Sequence, residues 1–215
     1  MTRWTLGVST ACAPGALALL RDGSECGRRT LEGSRGSGLV PAARDLLAEA
    51  GIRPSDLSLV ALDAGPGSFT GTRIAVAFAK SLAYAAGCAL APVSGLEARA
   101  RACPKPGGLA VALDARRGRF HAAAFLRGGG ILRRTLADGL FTPAELHAQL
   151  PEPVSWLGDA GAALARPGDA VLGETPPDPA VVAAMGEASS LRPSAFALAP
   201  AYLRQVEAQE KARPR

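Results

Sequence analysis

The stretch that decides the fold is Gly65-Pro66-Gly67-Ser68-Phe69-Thr70-Gly71-Thr72-Arg73. A short apolar segment, residues 57–64, comes directly before it and has the length and composition of a buried strand. After it, Ile74, Phe78 and Leu82 recur at the period of a helix with one packed face. The sequence therefore predicts a buried strand, a glycine-rich turn and a long helix.

The chemistry of the turn leaves two interpretations open. Backbone N–H groups at a helix N-terminus, together with glycines, can hold an anion such as phosphate. Alternatively, the glycines and Pro66 shape a tight bend, and Ser68 or Thr70 caps the helix. A Walker loop is excluded because no lysine follows Gly71. A nucleophile elbow is excluded because Ser68 lies directly after Gly67, which does not fit G-x-S-x-G.

The segments on either side of the turn predict an α/β protein. Residues 4–31 are predicted to form three strands, and Asp22-Gly23 between two of them is typical of a hairpin. A helix is predicted over residues 39–50, with Gly51 after its end. Further elements are predicted in this order: a helix at 69–86, a strand at 88–93, a helix at 94–102, strands at 109–113, 119–126 and 131–136, a helix from Thr142-Pro143, a strand at 154–157 and a helix at 180–190.

Two domains are predicted from a proline- and glycine-rich seam at residues 104–108. The first domain, residues 1–103, carries the glycine-rich turn. The second domain covers residues 104–204. The polar residues 205–215 are expected to form a frayed tail.

The composition indicates a globular protein. The chain has 215 residues, of which 48% are hydrophobic, and this is ample for a core. No apolar run approaches the roughly 20 residues that a membrane span needs, and we see no secretory signal. The four cysteines are scattered, without a C-x-x-C pair. We therefore expect reduced thiols and a cytoplasmic protein without membrane contact.

The net charge of +5 raises the question of nucleic-acid binding, because a basic surface attracts phosphate. The basic residues are mostly arginines spread along the chain, with one cluster at Arg116, Arg117 and Arg119. Aromatic residues make up only 5% of the chain, and no RNA-binding motif accompanies the arginines. The sequence therefore predicts a supporting basic surface rather than RNA binding by this chain alone.

Three segments resemble signatures of the bacterial TsaB (YeaZ) family. Residues 65–74 match G-P-G-S-F-T-G-x-R-I, Asp114-Ala115-Arg116 matches the start of a D-A-R-x-x-E-V-Y motif, and residues 200–204 match P-x-Y-L-R. The resemblance implies the actin-like ATPase fold, also called ribonuclease H-like or ASKHA. This is an α/β fold of two similar subdomains, each with a mixed β-sheet and flanking helices.

The resemblance also implies a function. TsaB-like proteins are non-catalytic paralogues of TsaD. With the ATPase TsaE, TsaD forms N6-threonylcarbamoyladenosine at position 37 of tRNAs reading ANN codons. A chain of this kind is expected to bind and support TsaD, to form a homodimer when alone, and to meet tRNA only through the complex. It is expected to have no cofactor of its own, apart from ATP or ADP at the interface with TsaD.

The resemblance places the partner interface on the glycine-rich turn and on helices of the first half. Our physical interpretation agrees, because small residues on a helix let another backbone approach closely. The expected interface residues are Gly65, Pro66, Gly67, Ser68, Phe69, Thr70, Gly71, Arg73, Ile74, Ala75, Val76, Ala79, Lys80, Leu39, Ala43 and Leu46. The expected structural residues of the other motifs are Asp114, Arg116, Tyr202, Leu203 and Arg204. No residue is assigned as catalytic or as a metal ligand.

Three positions depart from the family pattern. Ser9 stands where many relatives carry Asp, Gly36 where they commonly carry His, and Arg119 where the D-A-R motif has Glu. A hydroxyl cannot replace a metal-binding carboxylate, and this argues against phosphotransfer by this chain. Asp63, directly before the turn, either closes the turn or contacts a cation.

Two alternatives from another class are an actin-like phosphotransferase or ATPase that acts alone, and a serine peptidase-like hydrolase. The first needs metal-binding carboxylates, which Ser9 does not supply. The second needs a base for Ser68 from a distant segment, as catalytic triads allow. The two histidines, His121 and His147, stand apart without metal-ligand spacing.

Overall fold

The first half of the chain forms an α/β lobe around a twisted sheet. The structure is a computed structural model that describes residues 2–31, 38–194 and 197–199. A short 3-10 helix, Pro54–Asp56, precedes the fourth strand. The other elements of this lobe are β1 Trp4–Ser9, β2 Ala16–Arg21, β3 Ser24–Thr30, α1 Leu39–Glu49, β4 Leu59–Asp63, α2 Phe69–Ala86, β5 Ala89–Val93 and α3 Gly95–Ala102.

The sheet of the first lobe has the strand order β3-β2-β1-β4-β5. Strands β1, β2 and β3 form an antiparallel meander, whereas β1, β4 and β5 run parallel. Parallel strands bring their carboxyl ends to the same edge of a sheet. The β1–β2 loop, the glycine-rich turn after β4 and the start of α3 therefore meet at one edge.

The second lobe repeats this arrangement. Its sheet has the order β10-β9-β6-β7-β8, with an antiparallel meander β6-β7-β8 and parallel strands β6, β9 and β10. The expected fold of two similar subdomains with mixed sheets is thereby confirmed. The elements are β6 Gly107–Asp114, β7 Phe120–Gly128, β8 Ile131–Phe141, α4 Pro143–Gln149, β9 Ser155–Leu157, α5 Gly161–Leu164, β10 Ala170–Val171 and α6 Pro179–Ala188.

Both faces of the first sheet are covered. Because side chains alternate along a strand, Leu6 and Val8 of β1 point to the face that packs against α1 and α2. Gly7 points to the opposite face, where the backbone of Pro179 in α6 lies against it. Val182 of α6 joins a buried cluster with residues of β4, β5 and α3 on that side.

Helix α6 therefore returns to the first lobe, although it follows the second sheet in the chain. Polar contacts fix its far end: Glu187 accepts a hydrogen bond from the Thr5 hydroxyl at 2.7 Å and pairs with Arg3 at 2.9 Å. At its N-terminus, Asp178 accepts the Ala180 N–H at 2.7 Å and caps the helix. The domain division at residues 103 and 104 stays a prediction, but α6 lies outside the half to which the sequence assigned it.

Most predicted elements are confirmed, with ends that differ by one or two residues. Helix α2 covers the predicted residues 69–86. Strand β8 extends to Phe141, beyond the predicted 131–136, and the two-residue strand β10 was not predicted. Among the described residues, no helix combines the length and apolarity needed to cross a membrane.

Replacement of Gly7 by alanine tests the close contact between α6 and β1. A Cβ at this position overlaps the backbone carbonyl of Pro179, which cannot move without shifting the helix. We expect Gly7→Ala to lower the free energy of unfolding by about 1–3 kcal/mol, measured by urea denaturation.

Gly108→Ala is the matched control, because a Cβ on this strand glycine reaches only ordinary contact distances of 3.4 Å and more. Its stability is expected to stay within about 0.5 kcal/mol of the parent chain. Equal losses for the two variants would contradict the packing described for α6.

Candidate functional site

Three backbone donors of the glycine-rich turn bind groups of the protein itself. The Gly65 N–H donates to Asp63 Oδ1 at 2.9 Å, and the Ser68 N–H donates to the Ala11 carbonyl at 2.6 Å. The Gly71 N–H donates to Ser68 Oγ at 3.3 Å, so that Ser68 is the N-cap of α2. These three donors are therefore not available to an anion, and the geometry favours the structural interpretation of the turn.

The glycines are needed because the β1–β2 loop lies directly against the turn. A Cβ on Gly71 overlaps the Thr10 carbonyl oxygen, and a Cβ on Gly67 lies 2.6 Å from the Ala11 carbonyl oxygen. The Thr10 hydroxyl also donates to the Gly71 carbonyl at 2.7 Å. The loop thus fills the space that a phosphate group would need beside the turn.

Asp63 lies beneath the turn as a fully buried carboxylate. It accepts the Gly65 N–H, its Oδ2 lies 3.5 Å from Ser9 Oγ, and it fills the place next to Gly95 where a Cβ would stand. Burial raises the pKa of Asp63, while the positive charge of Arg99 and the hydrogen bonds from Gly65 and Ser9 oppose this rise. Of the two interpretations of this residue, closure of the turn fits the geometry.

Arg99 of α3 is the buried cation that faces this carboxylate, and sequence reasoning missed it. It is 1% exposed, and its Nη1 donates to the Gly95 carbonyl at 3.0 Å. An arginine in the polar segment Glu97–Arg101 gives no sequence signal of burial. No group of His, Cys, Asp and Glu side chains in the described part of the chain is arranged to hold a metal ion.

The expected partner surface on α1 and α2 stays a prediction, but burial reduces the number of its residues that are accessible in the single chain. Several expected interface residues belong to the hydrophobic core of the single chain. Gly65, Pro66 and Gly71 of the turn are buried as well. The core residues concerned are Leu39, Ala43, Leu46, Ala75, Val76 and Ala79.

The outward side of α2 carries a different set of residues. Arg73, Ala77, Ser81 and Tyr84 are exposed and follow each other at helical spacing, which places them on one stripe. The Arg73 guanidinium stacks over the ring of Phe69 at 4.1 Å, beside the exposed Gly67, Ser68 and Thr70 of the turn. Ile74 is half-buried. We call the stripe of four residues together with Phe69 the outer face of α2.

Lys80 does not project from this outer face. Its ammonium group donates to the Leu198 carbonyl at 3.2 Å and thereby holds the segment 197–199 against α2. Leu198 itself is buried in the core formed with α1 and α2.

The D-A-R turn of the second lobe lies beside the turn that follows β9. Asp114 accepts the Arg116 N–H at 2.7 Å and pairs with its side chain at 3.4 Å. The Asp114 N–H donates to Asp159 at 2.9 Å, which links the D-A-R turn to the turn after β9. Tyr202, Leu203, Arg204 and Gly36 lie outside the described residues.

A polar network that was not predicted connects the lobes. Arg134 of β8 pairs with Asp138 and, at 2.6 Å, with Glu97 of α3, while the Ser94 hydroxyl donates to Asp138 at 2.5 Å. Burial tends to raise the pKa of Glu97, but hydrogen bonds and charge from Arg134 and Arg101 hold it below its usual value. The residues of this network come from segments that are 37 and 44 positions apart in the sequence, so no local sequence pattern indicates the network.

Two lobes with matching mixed sheets, of which the first carries a glycine-rich turn packed against the β1–β2 loop, define an actin-like α/β protein. The family model for TsaD, tRNA N6-adenosine threonylcarbamoyltransferase, matches residues 37–209. Over 185 residues, 80% of each chain, the sequence is 31% identical to tRNA threonylcarbamoyladenosine biosynthesis protein TsaB of Bacillus subtilis (strain 168). The chain belongs to the TsaB/YeaZ family.

Two further matches agree with this assignment. The protein of the same name from Escherichia coli (strain K12) is 28% identical over 157 residues, 68% of this chain and 66% of the relative. The structure of YeaZ from Pseudomonas aeruginosa superposes with a TM-score of 0.81 at 24% identity and covers 94% of this chain and 100% of that one. This structural likeness bears on the fold alone.

Two alanine substitutions on α2 test which side of the helix is buried. Ala79 is fully buried, so Ala79→Leu adds volume to a packed core, and we expect a loss of about 1–3 kcal/mol in the free energy of unfolding. Ala77 lies on the outer face, and Ala77→Leu is expected to change stability by less than about 0.5 kcal/mol. Chemical denaturation of both variants measures the two changes in the free energy of unfolding. Similar changes would contradict the difference in burial between the two residues.

The buried Asp63 is expected to make stability depend on pH. Because its folded-state pKa is raised above the unfolded value of about 3.9, its contribution is fully present below that value and is lost as pH rises through the folded pKa. Asp63→Asn removes this loss, although it also leaves Arg99 without its counter-charge. Relative to the parent, the variant's melting temperature should therefore improve as pH rises above about 4.

Asp45→Asn, which removes an exposed carboxylate on α1, controls for the change in net charge. Parallel melting-temperature curves for the parent and Asp63→Asn across this pH range would show that Asp63 does not titrate in this way.

Proposed function

We propose that this chain is the accessory subunit that binds and supports a TsaD-type threonylcarbamoyltransferase. The assembly would form N6-threonylcarbamoyladenosine at position 37 of tRNAs reading ANN codons. Membership of the TsaB/YeaZ family supports a role in tRNA threonylcarbamoyladenosine biosynthesis. The observation that carries the proposal is the glycine-rich turn, which is the strongest motif of the chain and is occupied by protein groups instead of open to a ligand.

The contacts of three side chains support an accessory role over stand-alone catalysis. Asp63, the carboxylate at the strand edge, is buried and bound to the turn and therefore does not face a substrate. Ser68, the candidate nucleophile of a peptidase, has its Oγ engaged as a helix cap. His147, a candidate base, has its Nε2 2.8 Å from the Leu164 carbonyl. These contacts argue against both the phosphotransferase and the hydrolase alternatives.

The outer face of α2 is the surface that we assign to the partner. Phe69 and Tyr84 are 56% and 74% exposed, and small residues between them leave room for a second helix to approach. Val40 at the start of α1 is 67% exposed. In the absence of the partner, the same surface would form a symmetric homodimer. A TsaE-type ATPase would join through the transferase.

A nucleotide fits this chain alone poorly. Three backbone donors of the turn, the N–H groups of Gly65, Ser68 and Gly71, are taken, and the Lys80 ammonium group is engaged with the Leu198 carbonyl. We therefore propose that ATP or ADP, where it lies at the joint, is held mainly by the transferase partner.

Light scattering of the purified chain, alone and with the TsaD-type protein of the same cell, tests this function. We expect a homodimer that is replaced by a stable heterodimer.

Ala77→Arg puts a charge into the centre of the outer face, and we expect it to weaken the heterodimer by about tenfold or more. Ala148→Arg, an exposed alanine on α4, is the control that keeps full affinity.

A parent chain that does not bind the transferase would refute the accessory role. Normal binding by Ala77→Arg would instead move the interface away from the outer face of α2.

A further inference from the structure

The turn between β6 and β7 presents three exposed arginines within four residues, Arg116, Arg117 and Arg119. The Ala115 N–H donates to the Arg119 carbonyl at 3.0 Å, and the Arg119 N–H donates to the Arg116 carbonyl at 3.2 Å. These hydrogen bonds close a tight loop, so the arginine side chains leave the backbone close together. Positive charge is thereby concentrated at one end of the second sheet.

The backbone of this turn is one that arginine disfavours. Arg116 and Arg117 have φ angles of 68° and 57°. In this left-handed region a Cβ approaches the following carbonyl, so glycine, asparagine and aspartate are preferred. Two other hairpin turns of the described chain follow the rule with Asp22-Gly23 and Gly129-Gly130. Arginines therefore stand where the fold alone favours glycine, and this points to a role for their side chains.

Nearby carboxylates hold two of these arginines only loosely. Arg116 Nη1 lies 3.4 Å from Asp114, and Arg119 Nη1 lies 3.8 Å from Glu145. Exposed pairs of this kind contribute little in water, so an incoming phosphate can displace the carboxylate. The planar guanidinium matches phosphate with two parallel hydrogen bonds, and the net charge of +5 favours a polyanion.

We propose that residues 115–119, the arginine turn, bind the phosphate backbone of the tRNA that the assembled complex modifies. This inference rests on the proposed function, in which tRNA is the polyanion that the complex modifies. The large apolar side chains exposed among the described residues all lie outside the arginine turn, whereas a protein partner favours a surface with an apolar centre. Phosphate contacts fix the position of an RNA without reading its sequence, so the turn orients tRNA.

The double variant Arg116→Gly/Arg117→Gly tests the proposal without the usual risk of unfolding. Glycine suits the left-handed backbone at both positions, so we expect the variant to melt at the same temperature as the parent or higher. In complex with the transferase, it should bind an unmodified transcript of a tRNA reading an ANN codon roughly tenfold more weakly at 0.1 M salt. The slope of log affinity against log salt concentration should become shallower by about 2, close to 0.9 for each lost phosphate contact.

Arg53→Ala is the matched control. Its side chain is 83% exposed, as is that of Arg116, and it pairs loosely with a neighbouring aspartate in the same way. Loss of this charge should leave both the affinity and the salt slope of tRNA binding unchanged.

The outcomes separate this inference from the proposed function. Failure of the parent chain to bind the transferase would refute the function. Normal assembly with an unchanged salt slope in the double variant would overturn only the arginine turn as a tRNA site. Weaker assembly with the transferase but unchanged tRNA binding would also overturn it, because the turn would then contact protein.

Discussion

The contact between the β1–β2 loop and the glycine-rich turn determines much of the structure. Two carbonyl groups of the loop, from Thr10 and Ala11, occupy the places where Gly71 and Gly67 would otherwise carry side chains. This contact orients the first turn of α2, and the helix then places Ala75, Ala79 and Ala83 in the core. Below it, the buried Asp63 binds the turn through the Gly65 N–H, and the buried Arg99 of α3 acts on Asp63 by its charge. A single steric requirement therefore links the motif, the helix and the core.

The two lobes are joined in two physically different ways. Helix α6 connects them through the chain and packs on the first sheet by close backbone contact at Gly7 and Gly186. The charged network of Glu97, Arg134 and Asp138 connects α3 of the first lobe to the edge strand β8 of the second. The close packing of α6 resists a change in its distance from the first sheet. The half-buried ion pairs resist a rotation of β8 relative to α3, because their side chains must keep their partners.

The fold and the site differ in how far the sequence alone can predict them. Helix α2 could be predicted because its apolar residues recur at helical spacing over 18 positions. The role of Ser68 as its N-cap could be predicted because capping depends on neighbouring residues only. The role of Ala75 and Ala79 could not be predicted, because small residues allow any neighbour to approach closely, whether a partner protein or the chain's own sheet. The burial of Arg99 and the destination of α6 depend on residues far away in the sequence, which no local period encodes.

The return of α6 to the first sheet has a consequence for the synthesis of the chain. A ribosome produces the strands of the first sheet early, but the helix that covers one of their faces emerges only after residue 188. During that interval, Ala61 and Ala91 on the strands lack the neighbours that bury them in the finished protein. The first lobe therefore receives its last covering helix only after the second lobe has been made. One face of the first sheet therefore waits for its covering helix while residues 94–178 are made.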